Sequence, residues 1–266
     1  MAALPPMDYS ALDRPEISLR IFHPRPEWRS FANTSANDIS IPVGDQIALG
    51  ARFYIVNKEA PNILFFHGNG EIVADYEDIG PIYNRMGINF LPVDYRGYGR
   101  SGGEPTVGSM MCDCHMVYDF TKKWLSDNGC TGPFIVMGRS LGSASALELA
   151  SAHADKIDGL IIESGFALAG PLLRLLGVDP VSLNFIESNG FRNIDKIKQF
   201  CKPVLIIHAE FDHIIPYSDA LLFLGASPSP DKSLLKIPGA NHNDIFSRGF
   251  MEYMSAVKLF LGRIRS

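Results

Sequence analysis

Six short apolar runs recur along the chain: Ile63 to Phe66, Ile88 to Val93, Phe134 to Met137, Leu160 to Ile162, Val204 to Ile207 and Leu234 to Ile237, each bounded by Gly or Pro or close to one. A near-continuous apolar strand buries both of its faces, and the setting that allows this is a mainly parallel sheet covered by helices on either side. Most of the intervening stretches hold 15 to 40 residues, room for a crossover helix, as in Val107 to Leu125, Leu141 to His153 and Tyr217 to Leu224. Ahead of these runs Ile39, Ile41 and Val43, then Ile47, Leu49, Ala51, Phe53 and Ile55, alternate on either side of Gly44-Asp45. That pattern predicts an antiparallel hairpin. The fold class expected is α/β, with helices on both faces of the sheet. No repeat, low-complexity tract or Gly/Ser linker divides the chain, and α/β folds of this length are often one unit, so residues 1–266 are expected to form a single domain. Residues 1–38 are Pro-rich and read as an irregular N-terminal segment wrapping the body, with Ile17 to Phe22 as a strand.

Sites in such sheets form beyond the carboxyl ends of strands. Gly138-Arg139-Ser140-Leu141-Gly142 follows one apolar run and leads straight into the small, helix-favouring stretch Ser143 to Ala152. A serine on a tight strand-to-helix turn is held out of the sheet with its oxygen exposed, and the glycines admit the strained backbone. The pattern G-x-S-x-G is short and common, so context decides. Gly99-Arg100-Ser101-Gly102-Gly103 fits it equally well, but Glu104-Pro105 follows at once and no helix can start directly from that serine. Ser140 is therefore the candidate nucleophile and Ser101 a loop residue. The helix after Ser140 leaves free amides beside it, and the Leu141 N–H is one natural oxyanion donor. His67-Gly68-Asn69-Gly70 closes another strand, from which the Asn69 N–H is the expected second donor. A glycine turn with no catalytic part is the alternative for that loop.

An acid and a histidine arrive at later strand ends: Asp212 in the loop past Val204 to Ile207, and His242 after Leu234 to Ile237. The order Ser140, Asp212, His242 suits a hydrolase in which the imidazole takes the serine proton, the acyl group passes to the serine, and Asp212 orients the base. Glu163 and Glu210 compete for the acid's place. His67 reads as a brace for its loop, and His23, His115, His153 and His208 as surface or satisfied core residues.

A net charge of -5 argues against a nucleic-acid partner, whose binding rests on clustered Lys and Arg. No apolar run approaches the roughly 20 residues of a membrane span. Met1 to Ser10 lacks the basic and apolar regions of a secretory signal, so a cytoplasmic location is expected. Cys112, Cys114, Cys130 and Cys201 match neither a zinc pattern nor a dense disulfide framework, and reduced, mostly buried thiols are expected, with no metal.

The segments Phe65 to Gly70, Val93 to Ser101, Gly138 to Gly142, Leu160 to Ser164 and His242 to Asp244 together resemble the α/β-hydrolase superfamily, and within it the small-lid group of the α/β-hydrolase domain-containing proteins 13 and 17. The resemblance runs from about Ile39 to the end. It implies an α/β-hydrolase fold with an eight-stranded, mostly parallel sheet, no cofactor, and hydrolysis of small or medium acyl esters or thioesters. A peptidase or acyltransferase with the same triad, or a non-catalytic binding protein of this fold, is the alternative. Relatives that remove palmitate carry a Cys-rich N-terminus that Met1 to Asp38 does not resemble. Residues from about 168 to 195 allow a small lid, apolar from Leu168 to Val178 except for Arg174, or a plain surface helix.

Overall fold

The computed structural model describes residues 7–28, 36–44 and 46–264. Asp45, one of the two hairpin residues, lies outside the described residues, as do residues 1–6 and 29–35 of the Pro-rich start. Eight strands form one sheet: β1 Asn37–Pro42, β2 Ala48–Phe53, β3 Asn62–Phe66, β4 Asn89–Val93, β5 Phe134–Arg139, β6 Gly159–Glu163, β7 Val204–Ala209 and β8 Lys232–Ile237. Their order is β1-β2-β4-β3-β5-β6-β7-β8, with β1 and β2 antiparallel and every pair from β4 onward parallel.

The apolar runs are two-sided because the sheet is. Along β3, Leu64 and Phe66 enter one core layer while Ile63 and Phe65 enter the other; β5 and β7 alternate in the same way, with Val136 and Ile206 on one face and Met137 and Ile207 on the other. The first layer is closed by α3 Val107–Asp127 and α4 Ser143–Ala152, the second by α2 Gly80–Arg85 and α9 Phe250–Arg263. Each fully buried Leu, Ile or Phe contributes about 1.5–3 kcal/mol of transfer free energy. Helix α7 Tyr217–Ala226 and the short α8 Ile245–Arg248 complete this part of the molecule.

The N-terminal segment departs from expectation. Pro15–Ile21 is a helix, α1, and Ile17 to Phe22 is not a strand. Pro15 opens its first turn with Glu16 beside it, a sound helix start, and Ile17 and Ile21, four residues apart, share the buried side while Leu19 is exposed. Residues 1–38 are thus not uniformly irregular, and Asn37 and Asp38 already belong to β1. The cysteines differ too: only Cys114 is buried, and Cys112 and Cys201 are exposed. Cys112 lies two positions before Cys114 on α3, which turns it to another face.

Between β6 and β7 the chain carries α5 Ala169–Leu175 and α6 Asn193–Ile197. The Glu187 carboxylate accepts the Ala169 and Gly170 N–H groups at 3.0 and 2.6 Å, which pins the start of α5. Among the described residues no helix is long and apolar enough to cross a membrane.

Candidate active site

Strand β5 ends at Arg139, and Ser140 follows with φ at 51°, a left-handed conformation that a serine adopts only under constraint. The constraint is visible at its neighbours. A Cβ on Gly138 would lie 2.2 Å from the Gly142 carbonyl oxygen, and one on Gly142 would lie 2.1 Å from the Phe66 oxygen. Both motif glycines are therefore required by contact, and the turn is clamped between β3 and the start of α4. Ser143 Oγ donates to the Ser140 carbonyl at 2.6 Å, which tightens the turn further.

His242 comes from the loop after β8 and is 3 % exposed. Its Nε2 stands 3.0 Å from Ser140 Oγ and its Nδ1 2.7 Å from Asp212 Oδ2. The other Asp212 oxygen accepts the Ile214 and Ile215 N–H groups at 3.0 and 2.8 Å. Burial alone would raise the Asp212 pKa, but the hydrogen bond and charge of His242, with the two amides, outweigh it and hold the carboxyl below its usual range. Three strand ends thus deliver a hydroxyl, an imidazole and a carboxylate into one hydrogen-bonded chain.

Asn69 and Leu141 line the same cleft as Ser140 and His242, a space of about 260 Å³ whose remaining wall includes Ile21, Phe166, Leu172, Leu176, Ile214 and Ile215. The Asn69 side chain has its own work: Nδ2 donates to the Ile21 carbonyl at 2.6 Å, and Oδ1 accepts from the His23 N–H at 2.9 Å and from Tyr98 Oη at 2.6 Å. Among the described residues no acceptor takes the Asn69 amide N–H itself. His67 behaves as a brace, fully buried, with Nδ1 2.8 Å from the Gly68 carbonyl and Nε2 3.2 Å from Asp94. Tyr95 Oη donates to the His67 carbonyl at 2.7 Å.

The rivals are engaged with other partners, although His208 Nε2 also lies 3.5 Å from Asp212 Oδ2. Ser101 Oγ accepts the Gly50 N–H at 2.9 Å, and Gly99 serves a tight approach to Asp94, where a Cβ would fall 2.0 Å from Oδ2. Glu210 pairs with Lys236 at 2.7 Å and accepts the Gly239 N–H at 2.9 Å. Glu163 accepts from Tyr253 Oη at 2.6 Å and pairs with Arg139 at 3.1 Å. His208 is fully buried, with Nε2 2.9 Å from the Ile215 carbonyl, and burial lowers its pKa. Sequence reasoning missed Arg139 and Glu71, which join at 2.8 Å beside the cleft, and the contribution of Ile21 and His23 to its wall. Arg139 stood in plain view between Gly138 and Ser140, but nothing local says where a guanidinium points. Among the described residues no group of three or more His, Cys, Asp or Glu gathers as a metal-binding cluster.

The strand order and the elbow after β5 define the class: the chain has the α/β-hydrolase fold, and its sequence is similar to proteins of the α/β-hydrolase superfamily. Within the superfamily it is similar to the α/β-hydrolase domain-containing protein 17 group. The human protein 17B is 29% identical over 210 residues, covering 76% of this chain and 66% of the human one. The α/β-hydrolase domain-containing protein WAV2 of Arabidopsis thaliana is 28% identical over 246 residues, 86% of this chain and 79% of that one. The sequence model of the family described as serine aminopeptidase, S33, matches residues 57–179. Among solved structures the Pyrococcus furiosus esterase Pf2001 superposes with a TM-score of 0.71 over 90% of this chain and 99% of that one, at 20% identity.

Proposed function

We propose that the protein is a serine hydrolase that cleaves carboxylic ester or thioester bonds through Ser140, His242 and Asp212 and an acyl-enzyme intermediate. The observation that carries the reading is the chain of 3.0 and 2.7 Å contacts from Ser140 Oγ through His242 to Asp212. A serine hydroxyl is a poor nucleophile at neutral pH and needs a base within hydrogen-bond reach. His242 takes the proton as Ser140 attacks the acyl carbon, returns it to the leaving group, and then activates water against the acyl-enzyme. Asp212 holds the tautomer that presents a lone pair to Ser140 and stabilises the imidazolium. The Asn69 and Leu141 amides receive the oxyanion; each such donor is worth about 3–4 kcal/mol in the transition state.

The substrate reading follows the cleft. Its apolar wall and volume of about 260 Å³ suit small or medium acyl groups, and residues 168–195 act as a small lid through Leu172 and Leu176. The chain works as one domain, and its four free thiols suit a reducing compartment such as the cytoplasm. The matched family's description names an aminopeptidase, and the same triad would serve amide cleavage. The test is to treat wild type and Ser140→Ala with a fluorophosphonate probe, a short p-nitrophenyl ester and an aminoacyl p-nitroanilide. Wild type is expected to label and to turn over the ester, and Ser140→Ala to lose about 10⁴-fold or more in rate. Labelling that persists in Ser140→Ala overturns the choice of serine, and absence of any wild-type labelling overturns the reading.

A further inference from the structure

We infer that Arg139 is a positioning residue, whose guanidinium locks the oxyanion loop and the histidine loop onto the strand that carries Ser140. The inference rests on the reading of Ser140 and His242 as nucleophile and base. The two motif glycines are dictated by backbone contacts, but the position between Gly138 and Ser140 carries no such demand, so an arginine there calls for its own account.

Arg139 is 9 % exposed and spends every edge of its fork on a different segment. Nη2 donates to the His242 carbonyl at 2.8 Å, Nη1 meets Glu71 at 2.8 Å, and Nε meets Glu163 at 3.1 Å. Glu71 passes the connection on: its Oε2 accepts the Gly68 N–H at 2.7 Å and the Tyr76 hydroxyl at 2.6 Å. Gly68 directly precedes Asn69, and a Cβ there would fall 2.7 Å from Arg139 Nη1, so the glycine clears the path for the guanidinium. One planar group therefore ties the base's own peptide, the loop bearing an oxyanion donor, and the end of β6 to the residue adjoining the nucleophile.

The chemistry suits this task. A guanidinium fork is rigid and satisfies several acceptors at fixed angles, which a single ammonium cannot do. Burial disfavours the charged form, but Glu71 and Glu163 outweigh it and raise the Arg139 pKa further, so the fork stays charged throughout the working pH range. A displacement of about 1 Å at the reacting groups can cost on the order of 100-fold in rate.

Arg139→Lys is the decisive variant, because it keeps a positive charge against the Glu71 and Glu163 carboxylates yet cannot span the three segments. We expect kcat for the p-nitrophenyl ester to fall on the order of 100-fold with KM within about two-fold of wild type. Fluorophosphonate labelling should slow by the same factor, and the low-field proton resonance of the His242 Nδ1–H should shift or broaden. Wild-type kcat with an unmoved resonance overturns the inference, as does a loss confined to KM, which would make Arg139 a substrate contact. Should Arg139→Lys fail to fold, Glu71→Gln serves instead: it keeps an acceptor for Gly68 but removes the charged pairing, and an unchanged kcat there is equally fatal. A wild-type enzyme that never labels defeats the underlying reading instead, so the two failures are distinguishable.

Discussion

At the scale of single residues, the site is governed by which hydrogen-bond directions are already taken. Both Asp212 oxygens are committed, one to the Ile214 and Ile215 amides and the other to His242. In Asp212→Asn the amide oxygen must face the two N–H donors, which turns the NH₂ toward His242 Nδ1. The imidazole is then forced to carry its proton on Nε2, facing Ser140 with a donor where a lone pair is needed. We expect kcat to fall about 10⁴-fold with folding intact, in line with tautomer loss in other triads; steady-state ester hydrolysis checks this, and a loss below about ten-fold would contradict the assignment. The three groups of the chain were legible in sequence because each lies in the loop or turn just past its own apolar run. Arg139, Glu71 and Glu163 were not, since their meeting depends on neighbouring strand ends from β3, β5 and β6, and sequence spacing carries no record of which strands adjoin.

At the scale of elements, the strands were legible because burial on two faces leaves a run without polar interruption. The first helix was misread for an equally physical reason. Ile17 and Ile21 stand four apart, a spacing that fits both a strand's period of two and a helix's 3.6, and six residues are too few to separate the two. The deciding signal was Pro15 with Glu16 in the first turn. This helix matters to the site because Asn69 fastens its end, through the Ile21 carbonyl and the His23 N–H, to the loop that also carries the candidate oxyanion amide. In Asn69→Ala the backbone amide survives while those bonds are lost. The variant should lose about 1–2 kcal/mol of stability, with faster amide exchange at His23. Its kcat should fall by less than the roughly 10²-fold that removing an oxyanion donor costs. Exchange at His23 indistinguishable from wild type would show that the N-terminal segment is held by other contacts.

At the scale of the whole molecule, one buried ion pair joins parts of the chain that no local pattern connects. Lys196, fully buried on α6, meets Glu148 of α4 at 2.6 Å, and His115 of α3 lies 3.3 Å from the other Glu148 oxygen. Tyr9 of the N-terminal segment comes within 3.4 Å of Glu148. Burial works against the ionised carboxylate, but the hydrogen bond from His115 and the charge and hydrogen bond of Lys196 outweigh it, and the Glu148 pKa drops from 4.5 to about 2. With the folded value below the unfolded one, the folded state binds fewer protons in that window. The stabilisation is therefore complete above pH 4.5 and drains away as pH falls toward 2. Glu148→Gln isolates the effect, since it imitates the protonated acid at every pH while other carboxylates titrate equally in both proteins. Urea unfolding should place wild type about 3 kcal/mol above Glu148→Gln at pH 6 and only about 1 kcal/mol above it at pH 3. A gap that stays constant between those two pH values would mean that the Glu148 carboxyl titrates alike in the folded and unfolded states, and that its charge adds nothing to the joining of α4, α6 and the N-terminal segment.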